Sequence, residues 1–170
     1  MSLLDKDSRI IMASELAREY KLKEYHCSES AIRACAQALD IDLPEGVIKA
    51  ACGFRGGGGG YLDRCGIIEA GSMLISYLYG RTSPDEPDWP YSYLICLLHD
   101  RFKECFGSIY CRDIFPEASK DKSLPSCINT YTQGCEIITK LLLEVDELLD
   151  NAPEIVRQNG VFWKDVVNKL

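Results

Sequence analysis

Nine cysteines, two histidines and one unbroken run of glycines are the residues of this 170-residue chain whose types could do chemistry. A thiolate is the best soft metal ligand and the best redox nucleophile that a protein carries. None of the cysteines stands in a C-x-x-C pair, so neither a zinc ribbon nor a thioredoxin-type motif is available. His26 and His99 are too few for a histidine-based site, and His99 reads as a helix-surface residue.

The cysteines separate by local context. Cys35, Cys52 and Cys96 lie inside helical apolar patterns beside Ala34, Ala51 and Leu97, and free cysteine packs as a small hydrophobe, so these three read as core filling. Cys27 stands at a helix start, where the macrodipole favours a thiolate, with His26 next to it. Cys65 follows the glycine run Gly56–Gly60 and gains the same benefit. Cys111 lies just beyond a helix end after Gly107, and Cys135 follows Gly134 on an inner helix face. Cys105 and Cys127 stay open. Cys105 is six residues from Cys111, and Cys127, near a helix start, could replace Cys135 in a cluster.

The glycine run fails the context of both common nucleotide motifs. No Gly-Lys-Ser/Thr follows it, and it comes after a helix instead of a strand. Glycine uncovers backbone N–H groups, so Gly57, Gly58, Gly59 and Gly60 are candidates to hold an anion or to donate to the sulfurs of a cofactor. The bland alternative is a flexible connector. Glu69, four residues after Cys65 in an apolar run, either moves protons or pairs with Arg55, Arg64 or Arg101.

These residues must be positioned by helices, because no strand-like alternation persists anywhere. Ile10, Ala13, Leu16, Ala17 and Tyr20 make one stripe of a first helix. Cys27, Ala31, Ala34, Cys35 and Ala38 share a face of small residues on a second. Pro44 opens a third that ends near Gly53. A fourth is expected over about 61–79, a fifth from Trp89 or Pro90 to Phe106, and a short turn around Cys111. A last long helix runs from Cys127 to about Asn151, with Tyr131, Cys135, Ile138, Leu142, Val145 and Leu149 on one face. A terminal segment around Phe162-Trp163 could dock as another short helix. The expectation is a single all-α domain over 1–170, a bundle of about five to seven helices with a glycine-rich loop.

Composition limits the function classes. A formal net charge of −7 argues against a nucleic-acid partner, which calls for a basic face. The start of the chain turns charged at once, and the longest apolar stretch falls short of the ~18 residues of a spanning helix, so a cytoplasmic protein without membrane insertion is expected. An odd number of cysteines, thinner than the ~8–10% of disulfide scaffolds, points to thiols.

His26-Cys27-Ser28-Glu29-Ser30-Ala31, then Gly53-Phe54 and the glycines, then Cys65-Gly66 resemble the C-GCAxxG-C-C family of redox-active proteins. The segment from Arg101 to Arg112 resembles that family's third cysteine region, and Gly134-Cys135-Glu136-Ile137-Ile138 its fourth. The likeness spans about residues 25–149. Where the family has C-G-A-x-x-G, this chain has Cys65-Gly66-Ile67-Ile68-Glu69-Ala70, with Gly71 one place late. The resemblance implies a short helical redox protein whose four cysteines are Cys27, Cys65, Cys111 and Cys135. The layout also looks like the amino-terminal part of split-Soret cytochromes, although the lack of C-x-x-C-H excludes covalent c-type haem.

The expectation is a redox protein in which Cys27, Cys65, Cys111 and Cys135 converge to hold a metal, with an iron–sulfur cluster ahead of zinc. A redox partner protein would exchange the electrons. The alternatives are a metal-free dithiol with Cys27 and Cys65 as nucleophile and resolving partner, and a helical binding module whose sulfurs only fill the core.

Overall fold

A computed structural model describes residues 5–159, and among these every regular element is helical. The elements are α1 (Lys6–Leu22), α2 (Cys27–Ala38), α3 (Glu45–Ala51), α4 (Gly66–Tyr79), α5 (Trp89–Phe106), α6 (Cys111–Ala118), α7 (Ile128–Leu143), α8 (Val145–Asp150) and α9 (Glu154–Asn159), with a 3-10 turn at Cys52–Phe54. Nine helices among the described residues exceed the five to seven expected. Three of the added breaks follow from local chemistry. Cys111 opens a true helix with its own turns, the long final helix divides at Glu144, and α9 starts after Pro153. Phe162-Trp163 lies outside the described residues.

Helix α7 is the central element and packs on α1, α2, α4 and α5. The small face of α2 lets its neighbours come close: Ala31, Ala34, Cys35 and Ala38 are fully buried. Between α4, α5 and α7 the approach is closer still. A Cβ at Gly71 would meet Leu98 Cδ2 at 2.7 Å, and one at Gly134 would meet Ile67 Cγ2 at 2.5 Å. The remaining core is aliphatic, from Ile32, Ile67, Ile68, Leu74, Leu94, Leu98, Ile138 and Leu141, with Phe102 as the largest fully buried side chain. Each such side chain contributes about 1.5–3 kcal/mol by leaving water. No helix among the described residues is long and apolar enough to cross a membrane.

The helix ends are chemically marked. Asp5 accepts the Ser8 N–H at 2.7 Å to start α1. Glu29 accepts the His26 N–H at 3.1 Å to start α2. Gly107, at φ 74°, closes α5 by donating its N–H to the Lys103 carbonyl. Helix α4 begins five residues later than expected, because residues 62–65 are hydrogen-bonded to residues 109–112 around one antiparallel bridge, Arg64–Tyr110, with extended backbone after the left-handed Leu62 (φ 63°).

Candidate functional site

That extended pairing brings two of the sulfurs together. Cys65 N–H donates to the Ile109 carbonyl at 2.8 Å, Cys111 N–H to the Asp63 carbonyl at 2.7 Å, and Arg112 N–H to the Leu62 carbonyl at 3.0 Å. Arg64 and Tyr110 are the directly opposed pair. Side chains alternate across extended backbone, so Cys65 and Cys111 share one face and Arg64 and Tyr110 the other. The inward face is a cavity of about 170 Å³.

Cys27 and Cys127 complete its wall. Cys27 is the first residue of α2 and its Sγ accepts the Gly56 N–H at 3.4 Å. The glycine run makes that contact possible. Gly56 to Gly60 all have positive φ, from 56° to 100°, a left-handed turn that a run of side-chain-bearing residues would not hold. Gly66 completes the close approach: a Cβ there would lie 2.5 Å from Cys27 Sγ and 2.7 Å from the Phe54 carbonyl oxygen.

Cys127 enters from the start of α7. Its backbone is left-handed at φ 61°, which costs a non-glycine residue about 1–2 kcal/mol. Its N–H donates to the Ala118 carbonyl at 3.0 Å, and its sulfur lies 3.7 Å from Ser119 Oγ. Strain of this kind persists where surrounding contacts over-determine it, often at functional positions.

Of the four cysteines expected at one site, Cys27, Cys65 and Cys111 line the cavity and Cys135 does not. Cys135 is fully buried in the α2–α7 interface, where Cys35 Sγ donates to its carbonyl at 3.7 Å. Contact with Cys35, and then burial, push the Cys135 thiol well above the ordinary range. The fourth sulfur is Cys127, one of the two positions left open. Cys105 is exposed on another face, directed to Gln133 Oε1. Cys35 is core as expected and Cys96 half-buried, but Cys52 is a correction. It ends α3 on the exposed 3-10 turn, and its thiol donates to Glu29 Oε1 at 3.3 Å.

The glycines also differ from expectation. The loop N–H that reaches a sulfur belongs to Gly56, whereas Gly58 and Gly60 donate to the Phe54 and Arg55 carbonyls. Gly57 packs on residues 62–63, where a Cβ would meet Asp63 N at 2.5 Å. Glu69 has an arginine partner: Arg64 Nε lies 2.7 Å from its Oε1.

The charge around the cavity is one-sided. Lys21, His26 and Arg55 line it and no carboxylate does. Tyr131, expected only as a core residue, lines it too, with Lys21 Nζ 5.1 Å from its ring centroid. Among the described residues no three Cys, His, Asp or Glu side chains gather closely enough to hold a single metal ion.

Burial acts on the site thiols in one direction. It pushes Cys65 far up, and it pushes Cys111 up to about 11, with negative charge on Cys27 and Cys127 adding to the effect. Cys127 is also raised by burial, against a lowering contact from Ser119. A thiol whose folded-state pKa is raised binds its proton more tightly in the native state than in the unfolded chain. Its stabilisation is full below the unfolded value of 9.0 and is lost as pH rises toward about 11. Urea unfolding of reduced, metal-free protein is therefore expected to give a lower midpoint at about pH 10.5 than at about pH 8, with a smaller drop in Cys111→Ser. Equal drops in the two proteins would contradict the assignment to Cys111.

A protein-family model described as "Putative redox-active protein (C_GCAxxG_C_C)" matches residues 25–141. No curated protein and no solved structure matches the chain.

Proposed function

Because the chain belongs to the C-GCAxxG-C-C redox-active family, we propose that its electron chemistry resides at Cys27, Cys65, Cys111 and Cys127, and that these four thiols hold an iron–sulfur cluster. The observation that carries this reading is the arrangement of four sulfurs around one cavity of about 170 Å³. A lone zinc ion needs all its thiolates at ~2.3 Å from one point. An iron–sulfur cluster spreads its four cysteines over two or four irons, so the sulfurs stand around a volume.

The surroundings fit such a group. Ile67 and Ile114 give the cavity apolar walls, and Lys21 and Arg55 offset the negative charge of four thiolates. The Gly56 N–H donates to Cys27 Sγ, the kind of contact that tunes a sulfur-bound centre. When bound, the cluster supplies one-electron transfer. The chain's own part is to present four sulfurs and, at Cys65, Cys111 and Cys127, to hold the protons until a metal displaces them. Buried thiols with raised affinity for protons release them on metal loading, so loading strengthens as pH rises.

Anaerobic purification, or reconstitution with ferrous iron and sulfide, followed by iron and sulfide assays and a visible spectrum, tests the reading. Iron and sulfide bound together with a coloured spectrum are expected. Colourless, metal-free protein after reconstitution, with all four site thiols alkylated at once, would remove the cluster.

One observation favours a second reading. The close approach at Gly66 brings the start of α4, which carries Cys65, against Cys27 Sγ. Two thiols there could join as a disulfide, releasing two protons and two electrons to an acceptor. Mass spectrometry that finds a Cys27–Cys65 bridge after mild oxidation of metal-free protein, and none in Cys27→Ser, would move the assignment to dithiol chemistry.

A further inference from the structure

Tyr131 is the one large polar side chain in the cavity wall that the cysteine chemistry leaves unexplained. It projects from the first turn of α7, four residues after Cys127, and is 4% exposed. Among the described residues its hydroxyl makes no hydrogen bond, and it is not one of the fully enclosed unpaired polar atoms, so it opens to the cavity that the residue lines. A phenolic hydroxyl that opens to a cavity without a protein partner is free to donate to an acceptor that fills the space. The hydroxyl also lies within electrostatic reach of Cys27, Cys127 and Cys65, whose charges act on it after burial itself.

The chemistry of the wall limits what can accept. Lys21 Nζ sits over the Tyr131 ring at 5.1 Å to its centroid, and Lys21 and Arg55 have no carboxylate partner among the described residues. Among the described residues the Cys27 and Cys127 sulfurs pair with the Gly56 N–H and with Ser119 Oγ and not with the phenol, which leaves the occupant of the space between them as its acceptor. We propose that Tyr131 is the hydrogen-bond donor of the four-cysteine cavity, and that the cavity receives an anionic, acceptor-bearing group held against Tyr131 and Lys21. This rests on the reading of the cavity as the redox site. Within that reading the acceptor is a sulfur of the bound centre. A small anionic substrate meeting the thiols would make the same contacts.

Tyr131→Phe removes the hydroxyl and keeps the ring that Lys21 covers. The first measurement needs no metal. Reduced, metal-free protein is alkylated in parallel with iodoacetate and with neutral iodoacetamide, and the rate at Cys27 is read by mass spectrometry. The wild-type chain is expected to prefer the anion, and Tyr131→Phe to lower the iodoacetate-to-iodoacetamide ratio several-fold while leaving the iodoacetamide rate unchanged. Lys21→Gln lowers the ratio in the same way. The second measurement is the reduction potential after reconstitution with iron and sulfide. A donor to sulfur stabilises the more negative reduced state, so Tyr131→Phe is expected to disfavour reduction about tenfold, or ~59 mV lower for one electron.

A changed alkylation ratio in protein that binds no iron would keep Tyr131 as an anion donor and overturn the cluster. Bound iron with an unchanged ratio and an unchanged potential in Tyr131→Phe would overturn the donor role and leave the cluster standing. If the two rates in Tyr131→Phe change equally, the hydroxyl serves packing and the proposal fails.

Discussion

Cys127→Ser is expected to strip the reconstituted protein of iron and sulfide, whereas Cys135→Ala leaves both in place. Cys127 lines the cavity with Cys27, Cys65 and Cys111, and loss of a direct ligand should weaken metal binding by at least roughly 100-fold, beyond what outer contacts cost. Cys135 touches none of this. It is fully buried against Cys35, so its truncation leaves a small cavity worth about 1–2 kcal/mol and lowers the thermal midpoint. Iron content and a melting curve measured on the same samples separate the two effects. Cys127→Gly sharpens the comparison, because glycine accepts the left-handed backbone at 127 without strain. It should lose iron with stability unchanged or slightly raised. Iron retained in Cys127→Ser and lost in well-folded Cys135→Ala would reverse the assignment.

Gly66→Ala should disable the site and destabilise the fold together. Its Cβ would be forced to 2.5 Å from Cys27 Sγ and 2.7 Å from the Phe54 carbonyl oxygen. The sulfur could rotate, but the carbonyl belongs to the 3-10 turn that feeds Gly56 toward Cys27, so the turn itself must move. Overpacking of this kind costs about 1–3 kcal/mol, and here it also displaces the Cys27 sulfur. Gly58→Ala is the matching control. Nothing lies within 4 Å of the position, so only its left-handed backbone, φ 78°, resists the change, at about 1 kcal/mol. Denaturant midpoints with iron and sulfide content should show a large combined loss for Gly66→Ala and a small stability loss alone for Gly58→Ala. Equal effects in the two variants would mean that the glycines act through loop conformation and not through the Cys27 contact.

Much of the helical framework follows from periodicity. The stripe of Ala13, Leu16, Ala17 and Tyr20 and the small face of α2 depend only on a repeat near 3.6 residues, which any window of sequence displays. The placement of Cys27 and Cys65 at helix starts was also legible. The choice between Cys127 and Cys135 was harder. Spaced eight residues apart, they fall on related faces of one helix, and the family resemblance of the segment Gly134-Cys135-Glu136-Ile137-Ile138 pointed to Cys135. The position of Cys135 between Tyr131 and Ile138, within the apolar stripe, was the better sign of a core residue. Cys52 misled for the opposite reason. Its apolar neighbours suggested burial, but α3 is a short helix whose end is turned to solvent.

The sequence by itself determined the helical class and supplied glycines able to take a left-handed turn, because each depends on residue type and near neighbours. Tertiary structure decided which sulfurs meet. The pairing of residues 62–65 with 109–112 joins Cys65 to Cys111 across a long separation in the chain, and it shortens α4 in doing so. The approach of Gly66 to Cys27 and the strained entry of Cys127 are likewise contacts between distant segments. Local propensity carries no information about such contacts, since they are fixed only when α1, α2, α4 and α7 pack and the cavity between them takes its shape.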